Sequence, residues 1–365
     1  MAVLRKRNKI NFSGFISLLI VLGHLILLLP PLISESRGAA SSGVTVLIYH
    51  RFGEDEYPTT NVSVAKFKEQ MAWLESADYN VISLSELVAG LQEGGDFPEK
   101  SVVITVDDGY RSTYTEAWPV LKSYGYPFTV FIYVRATEQE YGNILSWEEI
   151  REMKDGGVSF QNHSWSHPHL IDRPGGMDEK EYRQWIRQDF KKGADTMEAR
   201  LGERSEFLAL PYGEYNSIVL EEARSSGYKA ILTQDPGSVS RDTSPFLIPR
   251  DAILGDDWST MEHFRKVLER VDLPVTQKIP SPEPEQPRVI PCFGARLLYP
   301  ERYVPGTLGV YVTGLGWRQA SMEGNLVYIE NEMPLKKRVT RVVISGREKA
   351  GGRIAQHSWM ILGPE

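Results

Sequence analysis

The chain has 365 residues with 41% hydrophobic content, enough for one large α/β domain plus an accessory piece. Its net charge of −7, with no basic stripe beyond the N-terminal segment, argues against nucleic acid as a partner. The single cysteine, Cys292, excludes an intramolecular disulfide framework and a cysteine-based zinc cluster, and reads as a small packing residue.

The first 40 residues open with Arg5, Lys6, Arg7 and Lys9, followed by the apolar run FISLLIVLGHLILLL. Pro30 and Pro31 stop that run ahead of the small residues in SESRGAASS. This pattern reads as an export signal cut after Ala40, or as an uncleaved membrane anchor, since residues 12–33 approach the ~20 that span a bilayer. On either reading the rest of the chain is exported, periplasmic or extracellular. From Val44 onward, apolar β-branched runs alternate with helical patterns. The expected strands are VTVLIY (44–49), NVISL (80–84), SVVITV (101–106), FTVFIYV (128–134), GVSFQ (157–161), EFLAL (206–210), KAILT (229–233) and PFLIP (245–249).

Between them, Ser63 caps a stripe of Val64, Phe67, Met71 and Leu74, and SWEE at 146–149 is a capping box ahead of Gly156 and Gly157. Phe190, Ala194, Met197 and Leu201 form another stripe, closed by Gly202; Asn216 caps a helix that ends at Gly227. Such alternation predicts a parallel sheet under helices, and seven or eight units favour a (β/α) barrel over residues 44–272. An open doubly wound sheet is the rival, without a GxGxxG after its first strand. Residues 273–288, with five prolines, read as an extended linker, and residues 289–365 as a small all-β module.

The chemistry gathers at strand ends. In TVDDG, Asp107 and Asp108 cannot both face the barrel interior in a straight strand, but Gly109 allows the chain to turn there. A cation beside them would remove their repulsion. In QNHSWSHPHL, His163 and His167 have the spacing that puts two imidazoles on one side of a helical turn. Two histidines and a carboxylate make a hydrolytic metal site, with Zn²⁺ the default and Co²⁺, Ni²⁺ or Fe²⁺ also accommodated. His50 closes VLIYH, Tyr212 follows EFLAL in PYG, and Arg250 follows FLIP, so the polar groups come from five strand ends on the face where barrel enzymes build their sites. His169, His263, His357 and Trp147 read as packing, surface or satisfied loop residues, and His24 lies in the export segment. Trp165 is a candidate wall of a sugar cleft.

Taken together, TVDDG, HSWSH and PYG resemble the NodB-type polysaccharide deacetylases, the fourth family of carbohydrate esterases, over roughly residues 44–270. The resemblance implies a distorted barrel and a metal-dependent hydrolase that removes N-acetyl groups from a polymer rich in N-acetylglucosamine. It also implies Asp107 as catalytic base, Asp108, His163 and His167 as metal ligands, and the Tyr212 backbone N–H as an oxyanion donor. Val106 stands where the family has an aromatic residue and Leu210 where it often has arginine; its late Leu-x-His motif is missing. The tyrosine–histidine pair Tyr49–His50 resembles the permuted poly-N-acetylglucosamine deacetylase branch, which makes His50 the general acid and leaves Arg250 to orient the catalytic aspartate. Competing readings are an O-acetyl esterase on another polymer and a non-catalytic glycan-binding or assembly protein on a degenerate barrel.

Overall fold

The computed structural model describes residues 43–95, 97–283 and 286–363, so the expected export segment lies outside the described residues. Six parallel strands lie side by side in chain order: β1 (Val44–Tyr49), β2 (Ser101–Asp108), β3 (Phe128–Ile132), β4 (Ser159–Asn162), β5 (Phe207–Ala209) and β6 (Ala230–Leu232). β1, β2 and β3 are buried at every position, which is why they read as continuous apolar runs rather than alternating ones. Helices α1 (Val64–Ser76), α2 (Leu84–Glu93), α3 (Trp118–Tyr124), α4 (Trp147–Asp155), α5 (Glu179–Leu201), α6 (Ser217–Ser225) and α7 (Met261–Leu268) follow the same chain order. Their starts match the sequence signals: Ser63 Oγ accepts from the Lys66 N–H, and Ser146 with Glu149 forms the expected box.

A short seam curls the sheet into a distorted barrel. Thr233 N–H donates to the Ile248 carbonyl (2.9 Å) and Ile248 N–H to the Ile231 carbonyl (3.0 Å). Three residues on, β7 (Asp251–Ala252) pairs in parallel with Leu47 and Ile48 of β1. The stretch from Ile248 to Ala252 thus joins the last strand to the first. PFLIP was expected as a full strand but contributes a single bridge at Ile248; Pro245 and Pro249 remove two ladder donors. NVISL gives only Asn80–Val81 as strand, because the Ser83–Glu86 capping box starts α2 at Leu84.

The expected linker contains a strand. Within it, β8 (Val275–Ile279) pairs antiparallel with β9 (Cys292–Leu297), the β-branched Val275, Thr276 and Ile279 prevailing over the flanking prolines. The remaining strands are β10 (Gly309–Val312), β11 (Gly316–Gln319), β12 (Ser321–Glu323), β13 (Leu326–Glu330), β14 (Val339–Arg347) and β15 (Ile354–Leu362). One sheet runs β8-β9-β13-β12; the other runs Val271–Asp272, β15, β14, β10, β11. Phe293, Val310, Val342 and Trp359 fill the core of this β module. Met360 and Leu362 of β15 pack in one cluster with Tyr215 and Ile231 of the barrel, and Ser358 Oγ donates to the Pro236 carbonyl (2.6 Å). The described residues accordingly form one compact unit. No helix among the described residues is long and apolar enough to cross a membrane.

Candidate active site

β2 delivers two carboxylates to one place by breaking its own alternation. Asp107 is paired with Phe131 and Asp108 with Ile132 of β3, but Asp108 has φ +70° and Gly109 φ +77°. The turn therefore begins at Asp108 itself, one residue earlier than the sequence suggested. A Cβ at Gly109 would lie 2.8 Å from Ile132 Cγ2, so only glycine lets the chain turn against β3.

Asp107 is fully buried and gripped end-on by Arg250, also fully buried. Arg250 Nη1 donates to Oδ1 (2.7 Å) and Nη2 to Oδ2 (2.8 Å), while Nε donates to the Thr233 carbonyl (2.9 Å) and Nη1 to Thr105 Oγ1 (3.1 Å). Burial alone would push the Asp107 carboxyl up; the Arg250 guanidinium, then His163, reverse this and hold it below the usual carboxylate range. Arg250 was expected beyond a strand end, but lies inside the wall, in the seam between Ile248 and β7.

The two histidines do not sit on a helical turn as their spacing suggested. They lie in the loop after β4, where Ser164 (φ +68°) and His167 (φ +51°) adopt left-handed backbone. Hydrogen bonds within the loop and from α5 hold it. Ser164 Oγ accepts from the His167 N–H, and the Asp189 carboxylate of α5 accepts from the N–H groups of Trp165 (2.9 Å) and Ser166 (3.0 Å). Gly193 then brings α5 close, since a Cβ there would be 2.7 Å from Asn162 Oδ1.

The His163 ring orientation is determined by its other nitrogen. Nδ1 lies 2.8 Å from the Ala209 carbonyl; a carbonyl only accepts, so Nδ1 carries the proton and Nε2 presents a lone pair. That Nε2 lies 3.4 Å from Asp108 Oδ1 and 3.2 Å from His167 Nε2, which is itself 3.2 Å from the same Oδ1. One ligand atom from each of the three residues thus falls within 4.8 Å of the others. Asp108 Oδ1 is buried and takes no well-aligned hydrogen bond. A buried acceptor without a donor, facing two imidazole nitrogens, fits a divalent cation. Burial pushes His163 down to about 4, which leaves its imidazole neutral and able to ligate at neutral pH. Burial works to raise Asp108 too, but the His167 contact and the charges of His50, His167 and His163 depress it strongly.

His50, just past β1, is buried with Nδ1 unpartnered, and its charge acts on both Asp107 and Asp108. Tyr212 has φ +59° in the Pro211–Gly213 turn after β5. Its ring lies parallel to His169 (3.9 Å, 7°) and edge-on to His167 (4.6 Å), and His169 Nδ1 meets Glu214 Oε2 at 2.8 Å. All seven residues singled out from the sequence therefore lie on one end of the barrel or bear on it through named contacts. The sequence reading missed Asp189, Tyr110 and Tyr133. Asp189 stands one turn after Ile186 on the buried face of α5, and a carboxylate in an apolar stripe was the available signal. Tyr110 follows the Asp pair after Gly109 alone; burial and then Asp108 raise it to about 12. Tyr133 has its ring 5.3 Å from His167. Trp165 is not an open cleft wall: it packs against the barrel core with the Lys192 ammonium 3.8 Å over its ring.

Comparison with known proteins agrees with this geometry. Residues 94–231 match the family model described as polysaccharide deacetylase. YxkH of Bacillus subtilis, a candidate polysaccharide deacetylase by name, is 30% identical over 205 residues, covering 56% of this chain and 69% of that protein. A poly-beta-1,6-N-acetyl-D-glucosamine N-deacetylase of Staphylococcus epidermidis is 28% identical over 214 residues, 57% of this chain and 73% of that one. The match to the Escherichia coli protein of the same name spans only 34% of its length. The Streptococcus pyogenes deacetylase PplD, solved with acetate, shares the fold at a TM-score of 0.55 and 24% identity, over 63% of this chain and 99% of that one. With a cluster able to hold a divalent cation on this fold, the molecule is a metal-dependent hydrolase. The chain belongs to the polysaccharide deacetylase family.

Proposed function

We propose that the protein removes N-acetyl groups from a polymer of N-acetylglucosamine, of the β-1,6-linked kind named for its staphylococcal relative. The observation that carries the reading is the pairing of an unpartnered Asp108 Oδ1 between two imidazole Nε2 atoms with a second aspartate, Asp107, locked beside it. Asp108, His163 and His167 would hold the cation, Zn²⁺ by default; when bound it supplies Lewis-acid polarisation of the acetamide and acidification of water.

The protein's own groups do the rest. Asp107 Oδ2 is 3.9 Å from His163 Nε2, so it borders the cluster without belonging to it. Held ionised by Arg250, it is a weak base that accepts a proton only from a strongly acidified donor, which suits this setting. Water oxygen bonds to the carbonyl carbon as its proton goes to Asp107. The Tyr212 N–H stabilises charge on the carbonyl oxygen, a donor of a kind worth ~2.7–4 kcal/mol. The C–N bond then breaks as His50 gives a proton to the leaving nitrogen, leaving acetate and a free amine.

We also propose export, from the basic and then apolar pattern of the first 40 residues, which would put the polymer outside the cytoplasm. The test is acetate release from β-1,6-linked and β-1,4-linked N-acetylglucosamine oligomers, with and without chelator. Chelator-sensitive release that favours the β-1,6 series is expected. Release untouched by exhaustive chelation, or restricted to O-acetyl esters, would overturn the reading.

A further inference from the structure

A polymer extends well beyond one reacting acetamide, and the β module presents a surface suited to the remainder. Trp317 of β11 and Tyr311 of β10 are directly opposite each other and among the most exposed aromatic side chains, at 54% and 40%. The indole is not loose. A Cβ on Gly309 would lie 2.3 Å from Trp317 Cζ2 and 2.4 Å from Cε2, so the ring lies against the glycine backbone of the neighbouring strand. One side of the ring is seated on the sheet while more than half of the residue's surface stays open. Neither Trp317 Nε1 nor Tyr311 Oη bonds to a described residue.

The position of this pair links it to the reaction. Tyr311 is opposite Val343 of β14, which is opposite Ser358 of β15. Ser358, Val343, Tyr311 and Trp317 therefore form one row across four strands, on one face, about 14 Å from end to end at ~4.8 Å per strand. The inner end of the row docks on the barrel through Ser358 and Pro236. On the same face, two residues along β14, Arg341 reaches barrel Asp235 (3.3 Å) and its charge acts on Glu214, the carboxylate that engages His169 beside Tyr212. The open aromatic end is thus continuous with the face that meets the barrel next to the catalytic loop.

We propose that the Tyr311–Trp317 face is a second glycan-binding surface that holds the substrate polymer beside the site of deacetylation, an inference that rests on the polysaccharide reading above. The occupant's chemistry follows from the surface. A pyranose ring offers a face of C–H groups to a flat indole and a rim of hydroxyls to the free Nε1–H and Oη–H. The two charged residues that β14 places on this face are already engaged, Arg341 with Asp235 and Arg347 with the Gly352 carbonyl, which suits a neutral acetylated chain.

The test uses the full chain and poly-N-acetylglucosamine. With turnover blocked by chelator, retention on immobilised polymer should fall about tenfold for Trp317→Ala, the loss of one aromatic contact, and be largely kept by Trp317→Phe. In the active enzyme, Trp317→Ala should raise KM on polymer while leaving kcat, and all kinetics on a disaccharide, unchanged. Equal polymer retention and KM in wild type and Trp317→Ala, with acetate still released, would overturn the inference and leave the proposed function standing. Sedimentation that shifts from dimer to monomer in Trp317→Ala, with polymer binding untouched, would instead assign the face to self-association and overturn it as well. Absence of acetate release from any acetylated glycan by the metal-loaded wild type would be a failure of the function itself.

Discussion

Replacing Arg250 by methionine should unfold the site from its most deeply buried contact. The guanidinium makes two hydrogen bonds to Asp107 and one each to the Thr233 carbonyl and Thr105 Oγ1, with both ion-pair partners fully buried. Removing one partner of such a pair leaves an uncompensated buried charge and costs ~3–5 kcal/mol. The protein can reduce that cost only by protonating Asp107. In the wild type the Asp107 carboxyl is held below its unfolded value, so its contribution is present above about 3.8 and is lost as pH falls through the folded value. In Arg250→Met, burial is left as the larger influence and the folded value rises above the unfolded one, so stability is instead lost as pH rises through that interval. The gap between wild type and variant must therefore be smaller near pH 3.5 than at pH 7. Urea unfolding of chelator-treated protein across this range measures it, and Arg250→Met with Asp107→Asn should recover part of the loss by removing the stranded charge. A gap independent of pH, or a double variant no more stable than Arg250→Met alone, would show that the pair does not set the Asp107 proton affinity. Arg250→Lys should rescue poorly, because a point charge cannot serve both carboxylate oxygens.

Gly193→Ala should disturb the metal loop from the helix behind it, since the new Cβ would lie 2.7 Å from Asn162 Oδ1 and 3.1 Å from the Trp165 nitrogen; a loss of ~1–3 kcal/mol is expected, with weaker Zn²⁺ binding by calorimetry. His163 takes a proton near 6.5 when unfolded but only near 4 when folded, so the metal-free protein should lose stability as pH falls between those values, about 3 kcal/mol in all. His163→Asn should lack that slope in acid titrations followed by circular dichroism, and should not bind Zn²⁺. His50→Ala should lower deacetylation by ~10²–10⁴-fold and cleavage of an aryl acetate far less, since a phenolate leaves without a proton; equal losses on both substrates would remove His50 from the acid role.

The motifs were legible where chemistry is carried by adjacent residues: TVDDG, HSWSH, PYG and the Tyr49–His50 pair needed only their strand ends to be placed. The alternation of apolar runs and capped helices likewise placed β1 to β6. What could not be read was anything decided by left-handed backbone. Asp108, Ser164 and His167 override strand alternation and helical spacing alike, and no local propensity announces them, because packing against β3 and the Asp189 carboxylate stabilises them from elsewhere in the chain. β8 was misread for the opposite reason: the prolines that flank it are local and conspicuous, whereas its partner strand β9 begins more than ten residues later.

Arg250 shows why the closing segment of the barrel is both irregular and chemically important. A regular strand between Ile248 and Ala252 would alternate its side chains between interior and exterior, and Pro249 would deprive the ladder of a donor. The chain instead makes a single bridge to β6, lets the Arg250 N–H donate to the Asp235 carbonyl (3.0 Å), and resumes pairing with β1 at Asp251. The guanidinium spans the gap this leaves, reaching the Thr233 carbonyl past the end of β6 and Thr105 and Asp107 on β2. The contact that keeps Asp107 ionised is therefore also a fastening of the barrel seam. Any substitution that loosens the seam should be felt first as a change in the pH dependence of the reaction, before it is felt as unfolding.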